Sequence, residues 1–257
     1  MIFSKRTLSK IVLPAIPLVA LTVLFEFLCR SGQIAAYVLP APSKVWIAFF
    51  ETQGEFLAAF SQTLIASLIG LGLSVTVGLM IAIVLSISNL ARDLFYPYAV
   101  FFQTVPIIAI APLLVIWFGY GMPTVIASSF IVSVFPIIAN TVLGFLSTDP
   151  NLLQLFRLMG ASPGQTLIRL RIPFALPQIL SGIKISSGLA VIGAIVGEFI
   201  SGNGLGGVVD AARNQQRVDR VFAAVVLASF LGILFFGAIS FLNSILLRHW
   251  HPSTSKE

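Results

Sequence analysis

The chain has 257 residues, 58% of them hydrophobic and only 9% charged, and its formal net charge is +6. Soluble domains carry roughly 25% charged residues, so this composition excludes an ordinary water-soluble enzyme and makes the bilayer the expected solvent. The positive balance does not point to nucleic acid, because no basic stripe with interleaved aromatics occurs; it fits basic residues gathered at the cytoplasmic ends of membrane spans.

The N-terminus is basic and then apolar, as in a signal peptide. Glu26 and Arg30 follow without a small-residue cleavage site, so an uncleaved first span is expected at about residues 11–28, behind a cytoplasmic tail of residues 1–10. The single cysteine, Cys29, excludes an internal disulfide and reads as a small apolar residue at a span end. Pro40, Pro42, Lys44, Glu51 and Glu55 then mark a loop whose part 43–60 suits a surface helix. The charge-free stretch from Glu55 to Arg92 holds a second span at 59–87. The next, from Asp93 to Asp149, is too long for one helix and is broken by Gly119, Gly121 and Pro123. It gives a third span at 97–118 and a fourth at 124–146. A fifth is expected at 176–200 and a sixth at 221–247, closing a transmembrane region of residues 11–247. His249 and His251 lie in the tail 248–257 and lack the further ligands of a metal site.

Six spans place both termini on one side. With the N-terminus inside, the inner segments hold Lys5, Arg6, Lys10, Arg92, Arg157, Arg169, Arg171, Arg248 and Lys256. The outer ones hold Arg30, Lys44, Arg213, Arg217 and Arg220, so the count is nine against five and both ends are expected in the cytoplasm. The charged segment 202–220 then becomes an outer loop, read equally as a surface for a partner and as a solvated loop with local ion pairs.

Between the fourth and fifth spans lies a polar, basic segment with helix punctuation. Asp149 can cap free amides and Pro150 suits a first turn, while Gly160 offers a left-handed stop. Ser162 and Pro163 repeat the start signal, and Pro173 is expected to end the second helix. The result is a cytoplasmic helical hairpin over 149–173. Its local alternative is an amphipathic segment lying on the inner leaflet.

The spacing in this hairpin resembles the "EAA" motif of ABC importer permeases, which runs E-A-A, three residues, G, nine residues, I-x-L-P. Gly160-Ala161-Ser162 and Leu170-Arg171-Ile172-Pro173 match it; the E-A-A positions are Gln154, Leu155 and Phe156, so an apolar face is expected to carry the contact. Leu39-Pro-Ala-Pro-Ser43, Gln103-Thr-Val-Pro106, Ala111-Pro112-Leu113, Phe135-Pro136, Asn140-Thr141 and Gly197-Glu198-Phe199 resemble the family elsewhere. The likeness is greatest to the branch of nitrate, sulfonate and taurine permeases, with riboflavin and pyrimidine-precursor permeases.

The resemblance implies an all-α, polytopic type I importer permease fold in the bacterial inner membrane, without catalytic residues, metal or cofactor of its own. Energy must come from elsewhere, because no Gly-x-x-x-x-Gly-Lys-[Ser/Thr] phosphate loop occurs. The implied partners are a second permease copy, a cytoplasmic ABC ATPase dimer binding ATP and Mg, an extracytoplasmic substrate-binding protein, and lipid. ATPase coupling falls on Gln154, Leu155, Phe156, Arg157, Gly160, Ala161, Ser162, Leu170 and Pro173. Polar residues in spans tend to face protein or water. Gln103, Thr104, Asn140, Thr141, Ser186 and Glu198 are therefore candidates for a substrate path, against a bond to the preceding helical turn. Gly182, Ser186, Gly188 and Ala190 offer close helix packing, and Lys184 is expected to snorkel toward the cytoplasm. The expected solute is an anion such as nitrate, a sulfonate or taurine, or an aromatic vitamin or precursor. The alternative, a channel or ion-gradient transporter, would want intramembrane carboxylates, and only Glu198 is available.

Overall fold

A computed structural model describes residues 5–35 and 37–247; the expected tail 248–257, with His249 and His251, lies outside the described residues. In chain order it has α1 (Lys5–Arg30), α2 (Pro42–Glu51), α3 (Gln53–Ile87), α4 (Asn89–Thr104), α5 (Ile107–Phe118), α6 (Met122–Leu146), α7 (Pro150–Leu158), α8 (Pro163–Thr166), a π-type turn (Leu167–Arg171), α9 (Ile172–Ser201), α10 (Gly204–Asn214) and α11 (Val218–Leu247). No strand occurs among the described residues.

Four stretches are long and apolar enough to cross a membrane: α3, α6, the run Pro163–Ser201 and α11; α4 and α5 add a fifth if they form one broken span. The expected first span falls on α1, whose residues from Ile16 to Phe27 expose large apolar side chains around the helix. Helix α1 begins at Lys5, so part of the expected tail is helical.

The interior is built on small residues, as the lack of a hydrophobic drive between helices in lipid demands. Helix α6 lies between α3 and α9. Ser128 and Ser129 of α6 donate to the carbonyls of Gly193 and Ala190 at 2.7 and 2.9 Å. Ser74 of α3 meets Ser133 at 2.7 Å and donates to the Phe130 carbonyl at 3.0 Å. A Cβ at Gly193 would stand 2.8 Å from Ser128 O, so the two helix backbones touch there. Helices α10 and α11 close the other flank of α9, around Leu205, Ala223, Ala224 and Leu231.

Three sequence expectations change. The third span is not one helix: α4 and α5 meet at 99°. Val105, the residue before Pro106, is extended at φ −72°, ψ 123°, as crowding by a following proline favours. Pro173 does not end the hairpin's second helix. The Ile172 amide bonds back five residues to the Leu167 carbonyl, and the chain runs on as α9 to Ser201. A widened turn relieves the clash and missing donor that proline imposes on a regular helix. The segment 202–220 is not a loop but contains α10. The expected surface helix over 43–60 is α2, which stops at Thr52 before α3 begins.

Candidate functional site

The hairpin occupies the end of the bundle where α6 finishes and α9 begins. Asp149 accepts from the Asn151 amide at 2.8 Å and opens α7. Gly160 takes φ +71°, the left-handed stop that side chains resist. Ser162 and Gln165 form a reciprocal capping box, with the Gln165 amide donating to Ser162 Oγ at 3.2 Å and the Ser162 amide donating to Gln165 Oε1 at 2.9 Å. Each cap is local, so the hairpin sets its own shape.

No residue of α7 is buried. Leu152, Leu155, Leu158 and Met159 are exposed, Leu158 to 79%. Gln154, Arg157, Gly160 and Ser162 are exposed around them, while Phe156, Ala161 and Pro173 are half-buried. Leu170 differs: at 8% exposure it faces the bundle and anchors the π-type turn. Leu167 and Ile172 join it there, packed against Phe145, Ala175 and Ile179. The expected coupling residues therefore divide into an exposed set (Gln154, Leu155, Arg157, Gly160 and Ser162), a half-buried set (Phe156, Ala161 and Pro173) and the buried Leu170.

A link that sequence reasoning missed joins this base to α3. Arg171 Nη1 donates at 3.0 Å to the carbonyl of Ser86, in the last turn of α3, whose C-terminal carbonyls lack partners within the helix. Two residues later, Ser88 caps α4 by accepting from the Ala91 amide at 3.1 Å. The hairpin is thus joined to α9 by a continuous helical run and to the last turn of α3 by one guanidinium. Only the basic character of Arg171 was visible in the sequence.

The six candidate path residues do not converge. Gln103 is exposed and lines a cavity of about 1130 Å³ bounded by α3, α4, α5, α6 and Leu189 of α9, whose other walls are almost wholly apolar. Thr104 donates to the Phe101 carbonyl at 2.7 Å, a bond to the preceding turn. Asn140 likewise donates to the Pro136 carbonyl at 2.8 Å. Thr141 and Ser186 are fully buried in the bundle, with hydroxyls that bond no described group.

Glu198 is 1% exposed and turned into the protein. Its Oε2 accepts from the Gly206 amide at 3.0 Å. The neighbouring amides of α10 are also taken: Gly204 N donates to Gln62 Oε1 and Leu205 N to Thr63 Oγ1, each at 3.0 Å. Asn203 offers no side-chain cap. Three side chains from α3 and α9 therefore satisfy the free amides of α10. Similarly, Glu26 of α1 accepts from the amide and hydroxyl of Ser43, at 2.9 and 2.7 Å, in the first turn of α2. The charges of 202–220 are engaged as ion pairs. Arg213 meets Asp210 at 3.0 Å, Arg217 meets Asp219 at 2.9 Å, and Arg220 pairs with Glu55.

Of the expected packing residues, Gly182 packs against the Pro136 carbonyl and Asn140 Cβ, and Ala190 is buried. Gly188 does not pack; nothing lies within 4 Å of where its Cβ would be. No group of three or more potential metal ligands occurs among the described residues.

Comparison with known proteins gives a consistent result. The profile of the family described as binding-protein-dependent transport system inner membrane component matches residues 74–255. The chain is 37% identical over 237 residues to the formylaminopyrimidine transport permease protein ThiX of Halalkalibacterium halodurans, covering 91% of this chain and 94% of that one. It is 28% identical over 246 residues to the putative aliphatic sulfonates transport permease protein SsuC of Bacillus subtilis, covering 95% and 87%. A solved chain of the MetNI methionine ABC transporter, in an inward-facing conformation, shares the fold with a TM-score of 0.65 at 18% identity, over 77% of this chain and 97% of that one.

Proposed function

Because this chain belongs to the family of binding-protein-dependent transport system inner membrane components, we propose that it forms the membrane path for a small solute delivered by an extracytoplasmic binding protein, pairing with a second copy above two ABC ATPases. It is a permease component of an ABC importer and not the ATP-hydrolysing subunit, so ATP and Mg belong to the ATPase.

The observation that carries the proposal is the α7–α8 hairpin. It is rigid through its own caps, apolar on its surface, and continuous with a membrane-length helix. Isolated apolar side chains on a surface need no explanation, but Leu152, Leu155, Leu158 and Met159 on one short helix and its end make a patch that fits a protein partner. ATP binding would draw two ATPases together and move the hairpins seated on them as rigid bodies. Arg171 and the unbroken run into α9 pass that motion to the bundle.

The excess of basic residues on one side supports cytoplasmic termini and a cytoplasmic hairpin. Likeness to a formylaminopyrimidine permease and to an aliphatic sulfonate permease supports a small heterocycle or organic anion as the solute. The test is co-purification with its partner ABC ATPase. Leu155→Asp with Leu158→Asp should leave the amount of folded permease unchanged and reduce bound ATPase at least tenfold; undiminished ATPase would remove the docking role. In a Cys29→Ser background, Ala161→Cys should react with an impermeant maleimide from the cytoplasmic side alone.

A further inference from the structure

Helix α2 is apolar on two faces. Val45 and Phe49 turn inward and pack against a core of Phe56, Leu205, Ala223 and Ala224, and Ala48 is buried beside them. Trp46, Ile47 and Phe50 turn outward and are exposed, Trp46 to 64%. The Trp46 and Phe50 rings meet edge to face at 5.0 Å and form one aromatic ridge. A helix between protein and water carries polar residues on its outer face, whereas one that is apolar on both faces needs a second apolar neighbour.

The polar residues of α2 stand at its ends. Ser43 and the exposed Lys44 lie in the first turn, and the exposed Glu51 is the last residue. Glu51, and Glu55 just beyond it, pair with Arg217 and Arg220 at the start of α11. With ten residues α2 is about 15 Å long, half the thickness of a hydrocarbon core, so it cannot span one. Charge at both ends with apolar side chains between them suits a helix lying flat at the headgroup boundary. The neighbouring surface continues the pattern. Tyr37 and Val38, shortly before α2, are exposed. Helix α1 reaches α2 through Glu26 and Ser43, and Val23, Leu24 and Phe27 around Glu26 are exposed as well.

We propose that α2 is an interfacial anchor, lying in the plane of the membrane in the leaflet opposite the hairpin, with Trp46, Ile47 and Phe50 seated in lipid at the headgroup boundary. The leaflet follows from the packing: α2 shares its core with Leu205 of α10, and α10 follows the end of α9 remote from the hairpin. The composition of the outward face selects lipid as the occupant. Tryptophan and tyrosine suit that boundary, because one end of each ring system is apolar and the other bonds to water or headgroups. A protein that docks and leaves uses a face about as polar as ordinary protein surface, and the outward face of α2 has no polar side chain between Lys44 and Glu51. A permanent protein neighbour, such as a second copy of this chain, would hide the same side chains from lipid and water alike. The anchor does not depend on what grips the hairpin.

Trp117→Phe with Trp250→Phe leaves Trp46 as the sole tryptophan of the full-length permease. Its fluorescence is measured in phosphatidylcholine vesicles with bromines on the acyl chains near the headgroup, with bromines near the chain ends, and with iodide in the water. Bromines near the headgroup should remove about half of the signal or more and quench better than those near the chain ends, while iodide should quench at least about fivefold less than it quenches a free tryptophan amide. Strong quenching by iodide without quenching by bromolipid puts the ridge in water and overturns the proposal. Quenching by neither puts it against a protein neighbour, and stronger quenching from the chain ends puts it inside the core; each overturns it equally. A second measurement keeps all three tryptophans. In a Cys29→Ser background, Phe50→Cys should react with a charged, impermeant maleimide at least about tenfold more slowly than Gln53→Cys, an exposed position just past the end of α2, and equal rates overturn the anchor.

Discussion

The hairpin before α9 and the helix after it, α10, lie at opposite ends of a helix of 30 residues, about 45 Å long, and differ in what holds them. The hairpin is capped by its own residues, Asp149, Gly160, Ser162 and Gln165, and α7 buries none of its side chains. Helix α10 has no cap of its own and buries Gly204, Leu205, Gly206, Gly207, Val208 and Ala212, while Gln62, Thr63 and Glu198 take its first amides. One connection is a self-contained projection that can be gripped. The other is wound into the protein and cannot move without breaking contacts to α3 and α9. A rigid projection at one end and a strapped cover at the other suit a molecule driven from one side and closed on the other.

The largest expected effect is at α10. A Cβ at Gly206 would stand 2.7 Å from Glu198 Cβ and 2.9 Å from the Phe199 amide. Gly206→Val should therefore cost more than about 3 kcal/mol, the upper range for overpacking a dense interior, and abolish a monodisperse peak in detergent. A folded, stable Gly206→Val protein would show that α10 is a loose cover after all. Gly160→Val makes the opposite demand, because open space surrounds Gly160 and strain comes from its φ of +71° alone. That strain is worth about 1–2 kcal/mol and is local to the hairpin. The protein should insert and remain folded, while ATPase co-purification and uptake fall at least tenfold. If Gly160→Val unfolded the bundle as Gly206→Val does, the hairpin would not be independent.

These two ends were also unequally legible in the sequence. Hairpin caps act within three residues of the backbone they satisfy, so Asp149, Gly160 and Ser162 could be read along the chain. The partners of α10 lie 142 residues away in α3, or on α9 turned inward, and nothing in a charged stretch containing Gly204, Gly206 and Gly207 announces a buried helix. Glu198 was visible as an intramembrane carboxylate, but not its commitment to an amide. The same limit explains Pro173. Proline reads as a stop because a regular turn cannot hold it, and the π-type turn that does hold it is anchored by Leu170 and Leu167 against the bundle. In the α4–α5 break, by contrast, Val105-Pro106 carried a readable signal. The Gly119 and Pro123 punctuation marked a true boundary, since α5 ends at Phe118 and α6 begins at Met122, but the further break inside the third span went unread.

A smaller effect is expected where the hairpin meets the body. Arg171→Leu removes the bond to the Ser86 carbonyl but leaves α7 unaltered. ATPase should co-purify at the parental level while uptake per ATP hydrolysed falls about threefold to tenfold, since a charged hydrogen bond of about 1.5–3 kcal/mol is lost from the linkage alone. Unchanged uptake per ATP would leave the continuous helix into α9 as the sole route of transmission.

The smallest change tests whether the hairpin's rigidity matters at all. Gln165→Ala deletes one half of the capping box, leaving the Ser162 amide to water and Ser162 Oγ still accepting from the residue 165 amide. A cap of this kind is worth about 1 kcal/mol, enough to fray α8 part of the time but not to dissolve it. Because Gln165 is exposed and its bonds are to exposed Ser162, the thermal midpoint of the whole protein should be unchanged. Hydrogen exchange at the Gln165 and Thr166 amides should speed up about fivefold, since about 1 kcal/mol shifts the local equilibrium by about that factor, and uptake should fall by no more than about twofold because the folded state is not emptied. A loss of uptake as large as that from Gly160→Val, with bound ATPase intact, would mean that stiffness of α8 and not the apolar surface of α7 limits transmission.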